Sequence, residues 1–305
     1  MKCLVTGATG FIGRPLSQQL ARAGHDLSLT SRSGADVVPG HATVSADLLH
    51  ASSIGQLCQG VDVVFHLAGI AHQHAVAADY QRLNVDACVA LATAARSSGV
   101  STFIYVSSSR ATTAGEDAND HYGRSKLEAE RALQSLVSDG AMELVIVRPA
   151  LVYGAPVKGN LALLARAVNA HLPLPPELGQ RSMIGVDDLC RLLIRVAEDR
   201  ASALPVLTVT DGERYSTRRI VAALRAGCSR PVTGMTLPAW CWRAGARMLD
   251  LRRGLPGGTH FNKLFGDDLS ESNAAEEVRG WAPQQVFEDV ASEIMRQSVG
   301  PGLAT

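Results

Sequence analysis

Tyr122 and Lys126 stand four residues apart in a segment that reads as a helix, so both side chains leave from one face. A phenol titrates at about 10 and is a poor acid–base at neutral pH, but a nearby ammonium stabilises the phenolate and lowers that value. Such a pair can pass a proton to or from a carbonyl oxygen. Ser107, Ser108 and Ser109 follow an apolar, strand-like run. A serine there can hydrogen-bond the same oxygen, or it can simply cap the turn. Tyr-x-x-x-Lys alone occurs on many surface helices, so its weight depends on what surrounds it.

A second constellation opens the chain. The stretch Thr6-Gly7-Ala8-Thr9-Gly10-Phe11-Ile12-Gly13 follows a short apolar strand and leads into a helix. Gly7 allows a tight turn, Gly10 lets backbone approach a pyrophosphate, and Gly13 lets the helix pack on the strand. The helix N-terminus supplies donors and a positive dipole end. Gly7, Thr9, Gly10, Phe11, Ile12 and Gly13 are therefore candidate contacts to a dinucleotide. Lys126 could then hold the nicotinamide ribose. At the end of the second strand an NAD site wants an acid for the ribose hydroxyls. Here the residues are Thr30-Ser31-Arg32-Ser33, with Asp36 further on. A guanidinium among hydroxyls suits a 2′-phosphate, so NADP(H) is favoured over NAD(H). Asp47, with Leu48 beside it, is a candidate adenine contact or a turn cap. Leu67, Ala68 and Gly69 end the fourth strand with small residues that let backbone lie against the cofactor.

These groups need a frame, and the hydrophobic pattern supplies one. Strands are predicted over 2–5, 26–30, 43–46, 61–67, 102–106 and 143–147, and helices over 11–23, 52–58, 79–98 and 121–138. The nearly continuous apolar runs at 61–67 and 102–106 suit strands buried on both faces. Alternating strand and helix means an α/β fold, a Rossmann-type doubly wound parallel sheet over 1–150. After Pro149 helices dominate, over 161–170, 187–198, 216–225, 239–250 and 286–297. Residues 151–305 read as a smaller, mainly helical substrate lobe, with a strand at 206–210 that could join the sheet.

The 305 residues carry 29 basic and 29 acidic side chains, a formal charge of zero. That offers no overall basic field for nucleic acid and no polybasic membrane signal. No apolar run approaches the ~20 residues of a membrane span, and Thr6 and Gly7 interrupt the N-terminal apolar stretch as no signal peptide would. The expectation is a cytoplasmic protein without nucleic-acid or membrane partners. Six scattered cysteines, with no Cys-x-x-Cys pair, fit buried thiols in a reducing compartment. His66 lies on a core strand; His72 and His74 gain no further ligand pattern, and no metal site is expected.

Taken together, the motifs resemble the extended short-chain dehydrogenase/reductases, in the NAD-dependent epimerase/dehydratase group that acts on nucleotide sugars. Thr6–Gly13 is similar to its glycine motif, His66-Leu67-Ala68-Gly69 to its fourth-strand motif, and Asn84-Val85-Asp86 to the helix asparagine that braces its active site. Tyr122-Gly123-Arg124-Ser125-Lys126 is similar to its catalytic signature, Arg148-Pro149 through Gly154 to the segment lining the nicotinamide, and Trp281-Ala282-Pro283 to a late landmark. The resemblance implies Tyr122, Lys126 and Ser108 as the catalytic set, with Ser109 as the alternate serine, and Pro149 beside the cofactor. It also implies Asn160 and Arg181 as contacts to a UDP-sugar, and a homodimer built on the helices at 79–98 and 121–138. Two features depart from the group: a short segment between the serines and Tyr122, and Arg32 where an acid is usual.

The reading that follows is an NADPH-dependent reductase of the C4 ketone of a UDP-4-keto-6-deoxy-N-acetylhexosamine in bacterial surface-polysaccharide biosynthesis. A UDP-glucose or UDP-N-acetylglucosamine 4-epimerase with bound NAD is the alternative. A non-catalytic regulatory or RNA-associated relative is more remote, because both Tyr122 and Lys126 are present. Asp187 and Asp188 read as first-turn acids on a helix dipole rather than catalytic groups.

Overall fold

A computed structural model describes residues 1–71, 76–114, 120–157, 159–199, 206–252, 254 and 257–298. His72, His74, Gly115, Glu116, Lys158 and part of the 254–258 loop lie outside the described residues. The first elements are β1 (Lys2–Thr6), α1 (Gly13–Arg22), β2 (Asp26–Ser31), β3 (Thr43–Ser45), α2 (Ala51–Leu57) and β4 (Val63–His66). Then come α3 (Ala77–Tyr80), α4 (Ala87–Ser97), β5 (Thr102–Val106), α5 (His121–Leu136), β6 (Glu143–Pro149) and β7 (Leu151–Tyr153). A π-helical turn (Gln81–Asp86) joins α3 to α4, and a 3-10 turn (Ser109–Ala111) follows β5. The rest is α6 (Gly159–Asn169), β8 (Gln180–Gly185), α7 (Val186–Glu198), β9 (Leu207–Val209), β10 (Arg214–Ser216) and α8 (Thr217–Gly227). The chain closes with α9 (Ala239–Arg252), α10 (Thr259–Phe265), α11 (Ala274–Glu277) and α12 (Phe287–Ser298).

Seven strands form one sheet in the order β3-β2-β1-β4-β5-β6-β9, every pair parallel. Strand order reverses at β1, the point where such sheets bind ligands beyond their carboxyl ends. Thr6 pairs with His66 and His66 with Tyr105, so the loops after β1, β4 and β5 leave the sheet in near register. Every residue of β4 and β5 is buried, as the uninterrupted apolar runs require. Leu91 and Ala95 of α4 and Ala129 and Leu133 of α5 pack there against Val64, Phe103 and Ile146.

A second sheet, β10-β8-β7, sets the six-residue β8 between two strands of three residues. Sequence periodicity did not predict it, because three-residue strands such as β7 and β10 are too short to show alternation. Around it Tyr153, Tyr215 and Phe287 meet edge to face at 5.4–6.3 Å. Both tyrosine hydroxyls donate to the Asp211 carboxylate, at 2.9 and 2.7 Å, which gives that buried acid its partners.

The chain divides into two units, and the first is discontinuous: 1–150, 186–209 and 272–282. The sequence placed residues 151–305 in one lobe, with a strand at 206–210 that could join the sheet. That strand does join it as β9, and α7 and residues 272–282 cluster with the first unit as well. Helix α7 buries Leu189, Cys190, Leu192, Leu193 and Val196, and Asp187 accepts from Gln19 of α1 at 3.1 Å. Asp188, with no exposed surface, pairs with Arg191 one turn on.

Candidate active site

The glycine turn fits a ligand that needs bare backbone. Gly7 adopts φ +70°, and a Cβ on it would meet Ala68 N at 2.9 Å. On Gly13 a Cβ would lie 2.1 Å from the Gly7 carbonyl oxygen. Helix α1 then starts with no side-chain cap at Ile12 and no acid in its first turn, so its positive end is left to a ligand. Thr9, Gly10, Phe11 and Ile12 are half-buried around that end. The residues present therefore fit the pyrophosphate of a dinucleotide.

Neighbouring candidates behave individually. Arg32 is exposed at the end of β2. Asp36, the nearest acid, accepts from Thr43 N at 3.1 Å and is committed to the start of β3. Ser31 Oγ accepts from Gly34 N at 3.1 Å, which folds the loop back under Arg32. Asp47 is exposed and accepts from Leu49 N at 3.0 Å as a turn cap, while Leu48 is half-buried against the core. Leu67, Ala68 and Gly69 follow β4. Ala68 N donates to Thr6 Oγ1 at 3.3 Å, and a Cβ on Gly69 would sit 2.9 Å from Asn84 Oδ1. His66 is buried, with Nδ1 2.8 Å from Thr6 Oγ1, and burial pushes its pKa down to about 3. It is a neutral core ring stacked on Tyr105. Pro149 is buried at the end of β6.

The three serines separate cleanly. Ser107 is buried and donates to Glu130 of α5, which Arg148 grips with both ends of its fork. Ser109 is buried in the 3-10 turn. Ser108 is half-buried, and its hydroxyl pulls the Tyr122 pKa down. The structure thus brings Ser108, and not its neighbours, to the phenol.

What holds that pairing was absent from the sequence reading. Arg110, two residues after Ser108, clasps the Asp120 carboxylate through Nε and Nη2, both at 3.0 Å. Asp120 caps α5 by accepting from Gly123 N at 2.8 Å. One ion pair therefore ties the turn carrying Ser108 to the helix start carrying Tyr122. Gly123 is required there, since a Cβ would meet Asp120 Oδ2 at 2.4 Å. Burial raises the Tyr122 pKa, while Ser108 and Arg110 pull it down and Asp120 pushes it up. An arginine, an acid and a glycine at spacings 110, 120 and 123 follow no helical period, so only the glycine within the Tyr-Gly-x-x-Lys run gave a hint.

Lys126 is buried beneath the same face. Its Nζ donates to Val106 O at 2.9 Å and lies 4.7 Å from the centre of the Tyr105 ring. Burial pushes its pKa down to about 8. The sequence paired its charge with Tyr122; the structure seats it between the ends of β4 and β5, near Gly69. Asn84, buried in the π turn, reaches three partners. It accepts from Ile70 N at 2.8 Å and donates to Ile70 O at 3.1 Å and to Ser125 Oγ at 2.9 Å. Ser125 donates in turn to Tyr122 O at 2.8 Å. This chain pins the loop after β4 to the first turn of α5.

The two substrate candidates belong to the second unit. Asn160 stands at the start of α6 and donates to Lys263 O at 3.4 Å. Arg181 is 5 % exposed and donates to the carbonyls of Lys263 and Leu264, closing the end of α10. That use leaves its buried Nε without a hydrogen-bond partner. All six cysteines are unpaired; Cys3, Cys58, Cys88 and Cys190 are buried. Among the described residues no cluster of His, Cys, Asp or Glu could hold a metal ion, and no helix is long and apolar enough to cross a membrane.

Residues 3–208 match the family model of the NAD dependent epimerase/dehydratase family. The UDP-glucose 4-epimerase of Vibrio cholerae is 29 % identical over 307 residues, 94 % of this chain and 92 % of that one. The UDP-2-acetamido-2,6-beta-L-arabino-hexul-4-ose reductase of Pseudomonas aeruginosa is 31 % identical over 73 % of this chain and 57 % of its own. In fold, the UDP-glucuronic acid 4-epimerase of Bacillus cereus, solved with UDP-glucuronic acid and NAD, superposes with a TM-score of 0.76. That likeness covers 98 % of this chain and 99 % of that one at 20 % identity.

Proposed function

Because the chain belongs to the NAD dependent epimerase/dehydratase family, we propose that it is a nucleotide-sugar oxidoreductase working at a sugar C4. The reading favoured is NADPH-dependent reduction of a UDP-4-keto-6-deoxy-N-acetylhexosamine, in the cytoplasm, for surface polysaccharide. The observation that carries it is the end of β2, where Arg32 is exposed and Asp36 is turned away onto Thr43. A guanidinium there suits a 2′-phosphate.

The glycine turn, Arg32, Leu67–Gly69, Lys126 and Pro149 are the residues that would hold the dinucleotide. NADPH, when bound, supplies a hydride to the ketone carbon. The remaining work falls to the chain. Ser108 Oγ donates a hydrogen bond to the ketone oxygen and orients it. Tyr122 gives its hydroxyl proton to that oxygen as the carbon gains hydride, so the C=O becomes a CH–OH. Burial keeps Tyr122 protonated beforehand, as this direction requires. The phenolate left behind is stabilised by Ser108 and by the charge of Arg110. Asn160 and Arg181 are assigned to the UDP moiety. For Arg181 this requires its guanidinium to leave at least one α10 carbonyl.

The test is product mass spectrometry with NADPH and a panel of UDP-sugars and UDP-keto-sugars. Reduction should consume one NADPH per product, and Tyr122→Phe should slow it about a hundredfold or more. Arg32→Asp should shift preference toward NADH; a wild-type Kd tighter for NADH than for NADPH would sink the cofactor assignment. A second reading, a UDP-hexose 4-epimerase with retained NAD, is favoured by the V. cholerae similarity along nearly both chains. Interconversion of UDP-glucose and UDP-galactose without added reductant would establish it instead.

A further inference from the structure

The charge of this chain is zero only in total. Between residues 225 and 263 it carries six arginines and one lysine against a single acid, Asp250. That acid has no exposed surface and accepts from the backbone of Gly258 and His260, at 2.8 and 3.1 Å. Among the described residues of this stretch, all within the second unit, Arg243, Arg247 and Arg252 are exposed and no exposed acid stands beside them.

Helix α9 lies at its centre and shows an inverted face. At about 100° per residue, Trp240, Ala244, Met248 and Leu251 fall within an arc of about 80°. All four are exposed: Trp240 by 70 %, Met248 by 58 % and Leu251 by 73 %. The opposite side is anchored inward by Ala246, Asp250 and the Trp242 ring, 5.8 Å from that of Phe265. Arg243 and Arg247 stand on one flank of the apolar stripe and Arg252 on the other, all exposed. The strand of chain leading into α9 adds Val232 and Met235, 48 % and 69 % exposed.

We propose that α9 docks this protein on an anionic lipid surface, lying in the plane of the headgroups. Trp, Met and Leu would enter the boundary of the acyl region while the flanking arginines meet lipid phosphates. At 14 residues the helix is too short to span a bilayer, which needs about 20. A second copy of this chain fits less well. A two-fold contact on this face would set arginines against arginines, with Asp250 buried and unable to compensate. A nucleic acid would meet an apolar ridge where it needs cations along its backbone.

The experiment uses the full chain and flotation with two vesicle types, phosphatidylcholine alone and phosphatidylcholine with about 30 % phosphatidylglycerol. The protein should float with the anionic vesicles and stay in solution with the neutral ones. Trp240→Glu combined with Leu251→Glu should weaken that partition tenfold or more, with turnover in solution unchanged. Arg247→Glu leaves the stripe in place and should weaken it about fivefold or more; it also serves if the double variant melts early. No partition into either vesicle overturns the proposal, and so does a partition that both variants retain. A dimer in sedimentation, or RNA binding, that the double variant abolishes while no vesicle binding is seen, overturns it too.

Discussion

Arg110 is a second cation that bears on Tyr122, besides the Lys126 that the spacing points to, and it lowers a phenol pKa that burial raises. Its ion pair with Asp120 ties the turn that carries Ser108 to the start of α5. Arg110→Met should therefore act twice. Loss of the clasp should lower the plateau rate about tenfold by loosening Ser108. Loss of the charge raises the Tyr122 pKa further, so the alkaline fall of the reductive rate should move to higher pH. Asp120→Asn keeps an acceptor for Gly123 but removes a neighbour that pushes Tyr122 up, so its alkaline limb should move down. A pH–rate profile of kcat distinguishes this from a merely structural clasp, which would lower the plateau and leave both limbs in place. Lys126 carries a different cost. Burial sets its folded pKa near 8 against about 10.5 unfolded, so its charge destabilises the fold fully below about pH 8 and not at all above about 10.5. Lys126→Met should thus abolish turnover yet raise stability near pH 7, by as much as about 3 kcal/mol. A urea midpoint well below wild type at pH 7 would refute that. The Tyr122–Lys126 pair and the run Ser107–Ser109 stood out in the sequence by helical spacing and a strand end, and Ser108 among the serines only by the family resemblance. Arg110 and Asp120 did not, because they meet across a turn.

At the scale of elements, the site depends on one irregularity. The apolar pattern over 79–98 reads as a single helix; α4 forms within it, and α3 starts two residues earlier, at Ala77. Between them the chain widens into a π turn, a feature often found at functional sites. Asn84 stands in that turn, buried at 1 % exposure, with its amide aimed at Ile70 and Ser125. Hydrophobic spacing reports the face of a helix and not one extra residue in a turn, so the asparagine was recognisable only by its motif. Asn84→Ala would strand the buried N–H and C=O of Ile70, a loss of about 2–4 kcal/mol at the usual price of unsatisfied polar groups. It would also release Ser125 and, through it, the first turn of α5. The expected result is a lower melting temperature together with slower turnover. Asn84→Asp keeps the acceptor for Ile70 N and should fall between. An Asn84→Ala protein that melts like wild type would show that the bridge bears no load. The steric part of the glycine turn, by contrast, was legible, because its constraints are local: Gly7 and Gly13 each stand where a Cβ has no room.

On the scale of the whole chain, the sequence order of elements and their spatial order diverge. The parallel sheet was readable through β6, since β1, β3, β4 and β5 are each followed by a helix before the next strand, and the run at 206–210 read as a strand that could join it. Its last strand, β9, arrives after 57 residues that the composition assigned elsewhere, and pairs with only three residues of β6. So short an edge strand needs a partner on its open side, and residues 272–282 provide one. Asn273 donates from its backbone N to Thr208 O at 3.2 Å and accepts from Thr208 N at 2.7 Å. Its side-chain amide donates to Val206 O at 3.1 Å, and Ser272 Oγ donates to Thr208 O at 3.1 Å. A side chain here imitates a strand. Downstream, Trp281 Nε1 donates to Asp188 O at 3.2 Å and closes the same segment onto α7. Asn273→Ala removes two of these bonds and should cost about 1–3 kcal/mol. The effect should be local before it is global. Hydrogen exchange at Thr208 should accelerate well beyond the change seen in β1, because only the edge has lost its cover. Asn273→Asp retains the acceptor for Thr208 N and should protect that amide while leaving Val206 O without its donor. Equal exchange at Thr208 in wild type and Asn273→Ala would mean that β9 is held by β6 alone.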